Sequence, residues 1–210
     1  MIKQKCTVKE ESVSVKQGKK ALFYLIVQYQ TDKIEAERTI QMGNGNRGNI
    51  MIIKNGLVFT PEGKFEKKDL YVEGEYVAKE TTDNKEVEAE GCYVIPGLVD
   101  IHFHGCVRHD MCDGTEESIQ ALADYEAANG VLAICPATMT IPEEELFQAM
   151  KAAKGHKNGK GADLVGINME GPFISPAKKG AQDARNILPC NVEICDRFLK
   201  ASEGLVKFIG

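Results

Sequence analysis

No apolar run in this chain approaches the length of a membrane span. The longest, Ala21 to Val27, falls far short of the ~20 residues that a bilayer requires. No secretory leader is read in the opening residues either. Lys3 and Lys5 give a basic start, but a polar, acidic stretch follows where an apolar segment should stand. There is no excess of positive charge: 26 Lys and Arg against 31 Asp and Glu leave a net charge of -5. That balance argues against nucleic acid as a main partner. Cys-x-x-Cys spacing is absent, and seven cysteines is an odd number. With no leader read, reduced thiols in a cytoplasmic protein are the expectation. What remains is a chain of 210 residues, 43% apolar, enough for one or two domains with a sizeable core.

Three regions differ in character. Residues 1–50 are patchy, and only the Leu22–Val27 run has strand character; the segment reads as a non-family extension, expected to be disordered, with Met51 as the native start. The alternative is that this run adds a strand to the β unit that follows. Residues 51–95 read as short strands broken by turns at Asn55-Gly56, Pro61-Glu62-Gly63 and Glu73-Gly74-Glu75, part of a small β-sandwich domain. From residue 96 onward strands and helices alternate. Val94–His104, Val131–Ala137, Leu164–Glu170 and Leu205–Ile209 read as strands. Helices follow Thr115, Thr140 and Asn191, each a candidate N-cap, and Thr140-Ile141-Pro142-Glu143 matches a capping box. Strand–helix alternation implies an α/β architecture, either doubly wound or a (β/α)8 TIM-type barrel. The barrel is favoured because the candidate site residues stand at strand carboxyl ends. Three βα units and the start of a fourth strand are present, so the expectation is a partial, truncated barrel over residues 96–210.

Two segments carry the chemistry. In Pro96-Gly97-Leu98-Val99-Asp100-Ile101-His102-Phe103-His104-Gly105, Asp100, His102 and His104 share one face of a strand, and two imidazoles on one face can grip a metal ion. In Met169-Glu170-Gly171-Pro172-Phe173, a carboxylate ends another apolar strand. Histidines and a carboxylate converging from separate strands suit a divalent-metal hydrolase. Other motifs read as bland. Gly43-Asn44-Gly45-Asn46-Arg47-Gly48 precedes a β-branched stretch instead of a helix, so it does not read as a nucleotide site. Cys106 and Cys112 read as small apolar residues. His109 and His156 read as ordinary surface or loop residues.

The first of these segments resembles the first barrel strand of the amidohydrolase superfamily, and Ala89 through Gly97 resembles the adjoining part of its small β domain. Residues 168–175, Asn-Met-Glu-Gly-Pro-Phe-Ile-Ser, followed by Lys178-Lys179-Gly180-Ala181-Gln182, are similar to the N-acetylglucosamine-6-phosphate deacetylases. So is His104-Gly105-Cys106 followed by Asp110 and Asp113-Gly114-Thr115. The resemblance covers residues 51–210. It implies a divalent metal cofactor (zinc, iron, manganese or cobalt), with Glu170 as central ligand and His102 and His104 at a second metal position. It implies that Ala181 and Gln182 lie in the loop that touches the sugar; many members have histidine where Gln182 stands. The implied reaction hydrolyses the acetamide of a phosphorylated amino sugar to acetate and glucosamine 6-phosphate, in a cytoplasmic homo-oligomer. Two further histidines, a catalytic aspartate and phosphate-binding basic residues would stand on later strands, so no catalytic residue is assigned in this chain and an inactive fragment is expected. The alternatives are a non-catalytic truncated product, or another amidohydrolase such as a dihydroorotase or deaminase. The Lys-Lys-Gly-Ala loop speaks against the last.

Overall fold

The computed structural model describes the backbone of residues 7–10, 15–16, 21–22, 24–28, 50–73, 76–81 and 86–210. Side chains are described for residues 52–72, 77–81 and 86–210. The chain divides into two compact units, Met1–Leu98 with Ala128–Leu132, and Val99–Ala127 with Ala133–Gly210.

The first unit is built on a seven-stranded sheet. Its path runs Thr7–Glu10, Tyr24–Gln28, Cys92–Pro96, Ile50–Phe59, Phe65–Glu73, Tyr76–Ala78, with Glu86–Glu88 paired to Ile50–Phe59. Ile53, Val58, Leu70, Val72, Val87, Ala89, Cys92 and Val94 form its buried core. The expected turn at Asn55-Gly56 is instead a register shift inside one long strand. Asn55 takes φ 61°, its N–H donates to Asp69 Oδ1 at 2.9 Å, and its amide reaches Glu88 at 3.1 Å. These contacts satisfy the groups that a bulge frees, so the strand continues. The turn at Pro61–Gly63 is as read, closed by Thr60 N–H to Lys64 O at 2.8 Å.

Tyr24–Gln28 pairs antiparallel with Cys92–Pro96, placing Tyr24 opposite Pro96. This is the added strand weighed as the alternative for residues 1–50. The rest of that segment, including the glycine-rich motif at residues 43–48, lies outside the described residues.

In the second unit a parallel ladder runs across four chain segments. Cys135 N–H donates to Asp100 O at 2.8 Å and Ala137 N–H to Phe103 O at 2.7 Å. Val165 N–H donates to Ile134 O and Asn168 N–H to Pro136 O, both at 3.0 Å. Ile167 N–H then bonds Leu205 O at 2.7 Å and Gly210 N–H bonds Met169 O at 2.8 Å. The expected strands are present but interrupted. Leu98–Asp100 stops before the histidines. Val131–Ile134 and Ala137–Thr138 are separated at Pro136, which has no N–H to give to a ladder. Asp163–Leu164 and Ile167–Met169 are separated at Val165-Gly166.

Helix α1 (Glu116–Ala128) buries Ile119, Leu122, Ala123, Glu126 and Ala127, a stripe at helical spacing. Thr115 caps it, its hydroxyl accepting from Ser118 N–H at 3.1 Å. Helix α2 (Glu143–Gly155) begins after Pro142 with no side-chain cap, so the expected Thr140 capping box does not form. Helix α3 (Val192–Ala201) starts at Asn191, whose Oδ1 accepts from Glu193 N–H at 2.9 Å and Ile194 N–H at 3.1 Å. Phe147 and Phe198 pack α2 on α3 with ring centroids 4.8 Å apart, and Arg197 both pairs with Glu143 and lies over the Phe147 ring. Among the described residues no helix is long and apolar enough to cross a membrane.

Candidate metal centre

The ladder brings two distant segments to the same carboxyl end. Asp100 is the last residue of its strand. Its Oδ1 accepts the N–H of His102 at 2.9 Å, a local bond that replaces a ladder bond and turns the chain out of regular strand geometry. His102 and His104 therefore follow the strand end and do not lie within the strand as expected. Immediately after His104 the chain folds into a tight hairpin, Gly105 opposite Asp110 and Cys106 opposite His109. A side chain at Gly105 would strike the His109 carbonyl oxygen, so the hairpin closes only with glycine there.

Glu170 follows Ile167–Met169 directly. Its Oε2 lies 3.0 Å from His104 Nε2 and 3.5 Å from His102 Nε2. The two rings stand edge to face, centroids 5.3 Å apart. One donor atom from each of the three residues falls within 4.8 Å of the other two. All three side chains are partly open: 50% exposed for His102, 35% for His104 and 35% for Glu170. The structure thus brings together His102, His104 and Glu170, and leaves Asp100 outside the cluster.

This set fits a divalent ion. Two ligands at ~2.0–2.2 Å from a tetrahedral centre stand roughly 3.3–3.5 Å apart, close to the separations found between Glu170 and the imidazoles. Two imidazoles and a carboxylate are also borderline donors suited to first-row divalent metals. The second nitrogens differ in their surroundings. His104 Nδ1 is buried with no hydrogen-bond partner. His102 Nδ1 faces the Asn168 amide nitrogen at 3.1 Å, and that nitrogen also donates to Ile101 O at 2.8 Å.

Asn168 is one of two site residues that the sequence reading missed; the other is Thr140. The Thr140 hydroxyl donates to Glu170 O at 3.0 Å, and the Thr140 N–H donates to Gln182 Oε1 at 2.6 Å. Asn186 Nδ2 donates to Thr140 O at 3.3 Å. One residue thus ties the Glu170 backbone to the loop carrying Gln182. Gly171 has φ 96° and sits so close that a Cβ there would overlap the Thr140 hydroxyl. No local pattern marks these contacts, because each partner is at least 30 residues away.

The loop residues expected at the sugar are placed unequally. Ala181 is exposed and Gln182 is buried. The Gln182 side chain is engaged within the chain, with Thr140 N–H on one side and Met139 Sδ at 3.6 Å on the other. The cysteines near the site behave as small apolar residues. Burial pushes the Cys112 thiol up to about 12, and Cys112 Sγ accepts the Met139 N–H at 3.1 Å. His109 is more than a surface residue: its Nδ1 lies 3.1 Å from Ser118 Oγ, which donates to Asp113 Oδ2 at 2.8 Å. His156 is half-buried and lines a cavity of about 260 Å³ with Lys154, Asn158, Ser202 and Glu203. Burial holds its imidazole below the usual range.

No protein-family model matches the chain. The chain is 30% identical over 164 residues to N-acetylglucosamine-6-phosphate deacetylase of Bacillus subtilis, a match covering 75% of this chain and 40% of that protein. Its fold matches that of the N-acetylglucosamine-6-phosphate deacetylase from Pasteurella multocida with a TM-score of 0.65 at 20% identity, over 75% of this chain and 43% of the other. The corresponding enzyme from Mycobacterium smegmatis matches with a TM-score of 0.60 at 21% identity, over 76% and 46%. The relatives are named deacetylases, a class of hydrolytic enzymes, and this chain spans a part of their length. Within that class the chain is similar, over about 75% of its length, to the N-terminal portion of N-acetylglucosamine-6-phosphate deacetylase. It spans about two fifths of the length of the curated relatives it matches.

Proposed function

We propose that His102, His104 and Glu170 form the N-terminal half of a divalent-metal site. The protein to which they belong would hydrolyse the acetamide of N-acetylglucosamine 6-phosphate to acetate and glucosamine 6-phosphate. The observation that carries this reading is the approach of Glu170 Oε2 to both imidazoles, 3.0 and 3.5 Å away, from a segment 66 residues further along the chain than His104. A bound divalent ion would lower the pKa of water and polarise the amide carbonyl.

The chain's own residues then have distinct parts. His104 and Glu170 offer the more closely spaced donor pair. Asn168 holds the His102 ring through Nδ1. Thr140 fixes the backbone of Glu170 and, through Gln182, the loop in which Ala181 stands exposed. In this reading Gln182 shapes the sugar loop from below and Ala181 meets the substrate. Residues 96–210 would be the opening portion of a metal-dependent hydrolase barrel, and residues 51–95 part of its small β domain. The protein would be cytoplasmic and homo-oligomeric.

The gene read onward from codon 210 tests this assignment. Further histidines at strand ends and a late aspartate are expected. A downstream sequence lacking them, in any frame, overturns it.

A further inference from the structure

The side-chain nitrogen of Asn168 holds two partners at once, 2.8 Å from Ile101 O and 3.1 Å from His102 Nδ1. A backbone carbonyl oxygen only accepts, so the atom set against Ile101 O is the amide nitrogen. Turning the amide over would bring its oxygen against that carbonyl oxygen instead. The nitrogen carries two hydrogens. One goes to Ile101 O and the other points at His102 Nδ1, which therefore presents its lone pair. A neutral imidazole has one N–H, and here it falls on Nε2. His102 Nε2 in turn lies 3.5 Å from Glu170 Oε2, a carboxylate oxygen that can accept from it.

The backbone leaves this amide little freedom. Asn168 N–H donates to Pro136 O at 3.0 Å, and Asn168 stands in register with Ala137. On its other side Ala137 N–H donates to Phe103 O at 2.7 Å. The Asn168 side chain thus reaches from the third segment of the ladder to the first, across the second. Ala137 lies in that path with only a methyl group, and it is fully buried.

We propose that Asn168 is a positioning residue that holds His102 as a hydrogen-bond donor. His104 and Glu170 are then the first donors offered to a divalent ion, and His102 becomes a ligand only once Asn168 lets go of Nδ1. A ligating imidazole nitrogen needs a free lone pair. For ligation through Nε2 the hydrogen must stand on Nδ1, where a carboxylate, a carbonyl or water ordinarily accepts it. Asn168 meets that position with a donor. His104 is not held in this way, since its Nδ1 has no hydrogen-bond partner. Two histidines that are equivalent by spacing are thereby made unequal by one amide two segments away. The order of ligation rests on reading the cluster as a metal site; the tautomer of His102 does not.

Nitrogen-15 NMR of the metal-free chain reads the tautomer directly and needs no ion, substrate or variant. A hydrogen-bearing Nε2 and a bare Nδ1 are expected at His102, and the opposite assignment overturns the proposal. Cobalt(II) titration reads the consequence. Asn168→Asp, whose carboxylate accepts from Nδ1, should bind cobalt about tenfold more tightly than the parent, the scale on which outer partners of ligating histidines act. His102→Ala, made in both backgrounds, separates that gain from the effect of the added charge: it should cost at least threefold more affinity beside Asn168→Asp than in the parent. Equal costs in the two backgrounds, or weaker binding by Asn168→Asp, overturn the proposal. If none of these proteins binds cobalt, the metal reading fails by itself, and the NMR assignment still decides whether Asn168 sets the tautomer.

Discussion

The hydroxyl of Thr140 donates to the carbonyl oxygen of Glu170 at 3.0 Å, joining the loop before α2 to the backbone of the candidate ligand. Thr140 is 1% exposed, so no water can take over that bond when it is removed. Thr140→Val should destabilise the unit by about 1–3 kcal/mol, the usual cost of leaving a buried polar group unpaired, and should weaken metal binding as Glu170 loses its anchor. Thr140→Ser should keep both. Chemical denaturation of the three proteins checks this, and equal midpoints would show that the bond has no structural weight.

The contrast between Thr140 and the donor cluster explains what was legible in the sequence. His102 and His104 could be paired by eye because their spacing is local and a strand-end path preserves it. Glu170 could be added because its flanking residues resemble a known family. Thr140 was misread for the same local reason: Thr-x-x-Glu is a capping pattern, yet its hydroxyl serves a strand 30 residues away. Gln182 was placed by resemblance in the loop that touches the sugar, and its bond to the Thr140 N–H, 42 residues away, has no local signature. Asn55-Gly56 looked like a hairpin turn, but Asp69, 14 residues on, satisfies the freed amide and the strand continues. Helix starts at Thr115 and Asn191 were legible because their caps lie within three residues.

Glu126 is a buried carboxylic acid on α1. Desolvation first, and the negative charge of Asp100 second, push its pKa above the ordinary value. A carboxyl raised in the folded state favours folding when protonated, and that contribution is lost as pH rises through the folded pKa. Glu126→Gln should therefore raise the melting temperature at pH 7. The gain should shrink toward zero as pH falls below about 4, the unfolded value for glutamate. Thermal melts of both proteins across pH 3.5–8 would show it. A variant less stable at pH 7 would mean that the charged form is favourably held.

The described cysteines differ in access. Burial pushes the thiols of Cys112 and Cys135 up, to about 12 and about 11, while Cys190 is exposed. A disulfide reagent at pH 8 should modify Cys190 within minutes and reach Cys112 and Cys135 only when the unit unfolds. Peptide mapping of the labelled sites follows the order. Early labelling of Cys112 would show that its packing against Met139 opens readily.

The central claim is that His102, His104 and Glu170 act together on one ion. Its most direct test is titration of the chelator-treated chain with cobalt(II), followed by absorption and by calorimetry, beside His104→Ala and Glu170→Ala. One ion per chain with the spectrum of a nitrogen and oxygen site is predicted. Either substitution should lower the affinity at least tenfold without altering the helical circular dichroism. Equal binding by the parent and the Glu170→Ala protein, or no binding by the parent, would contradict the account.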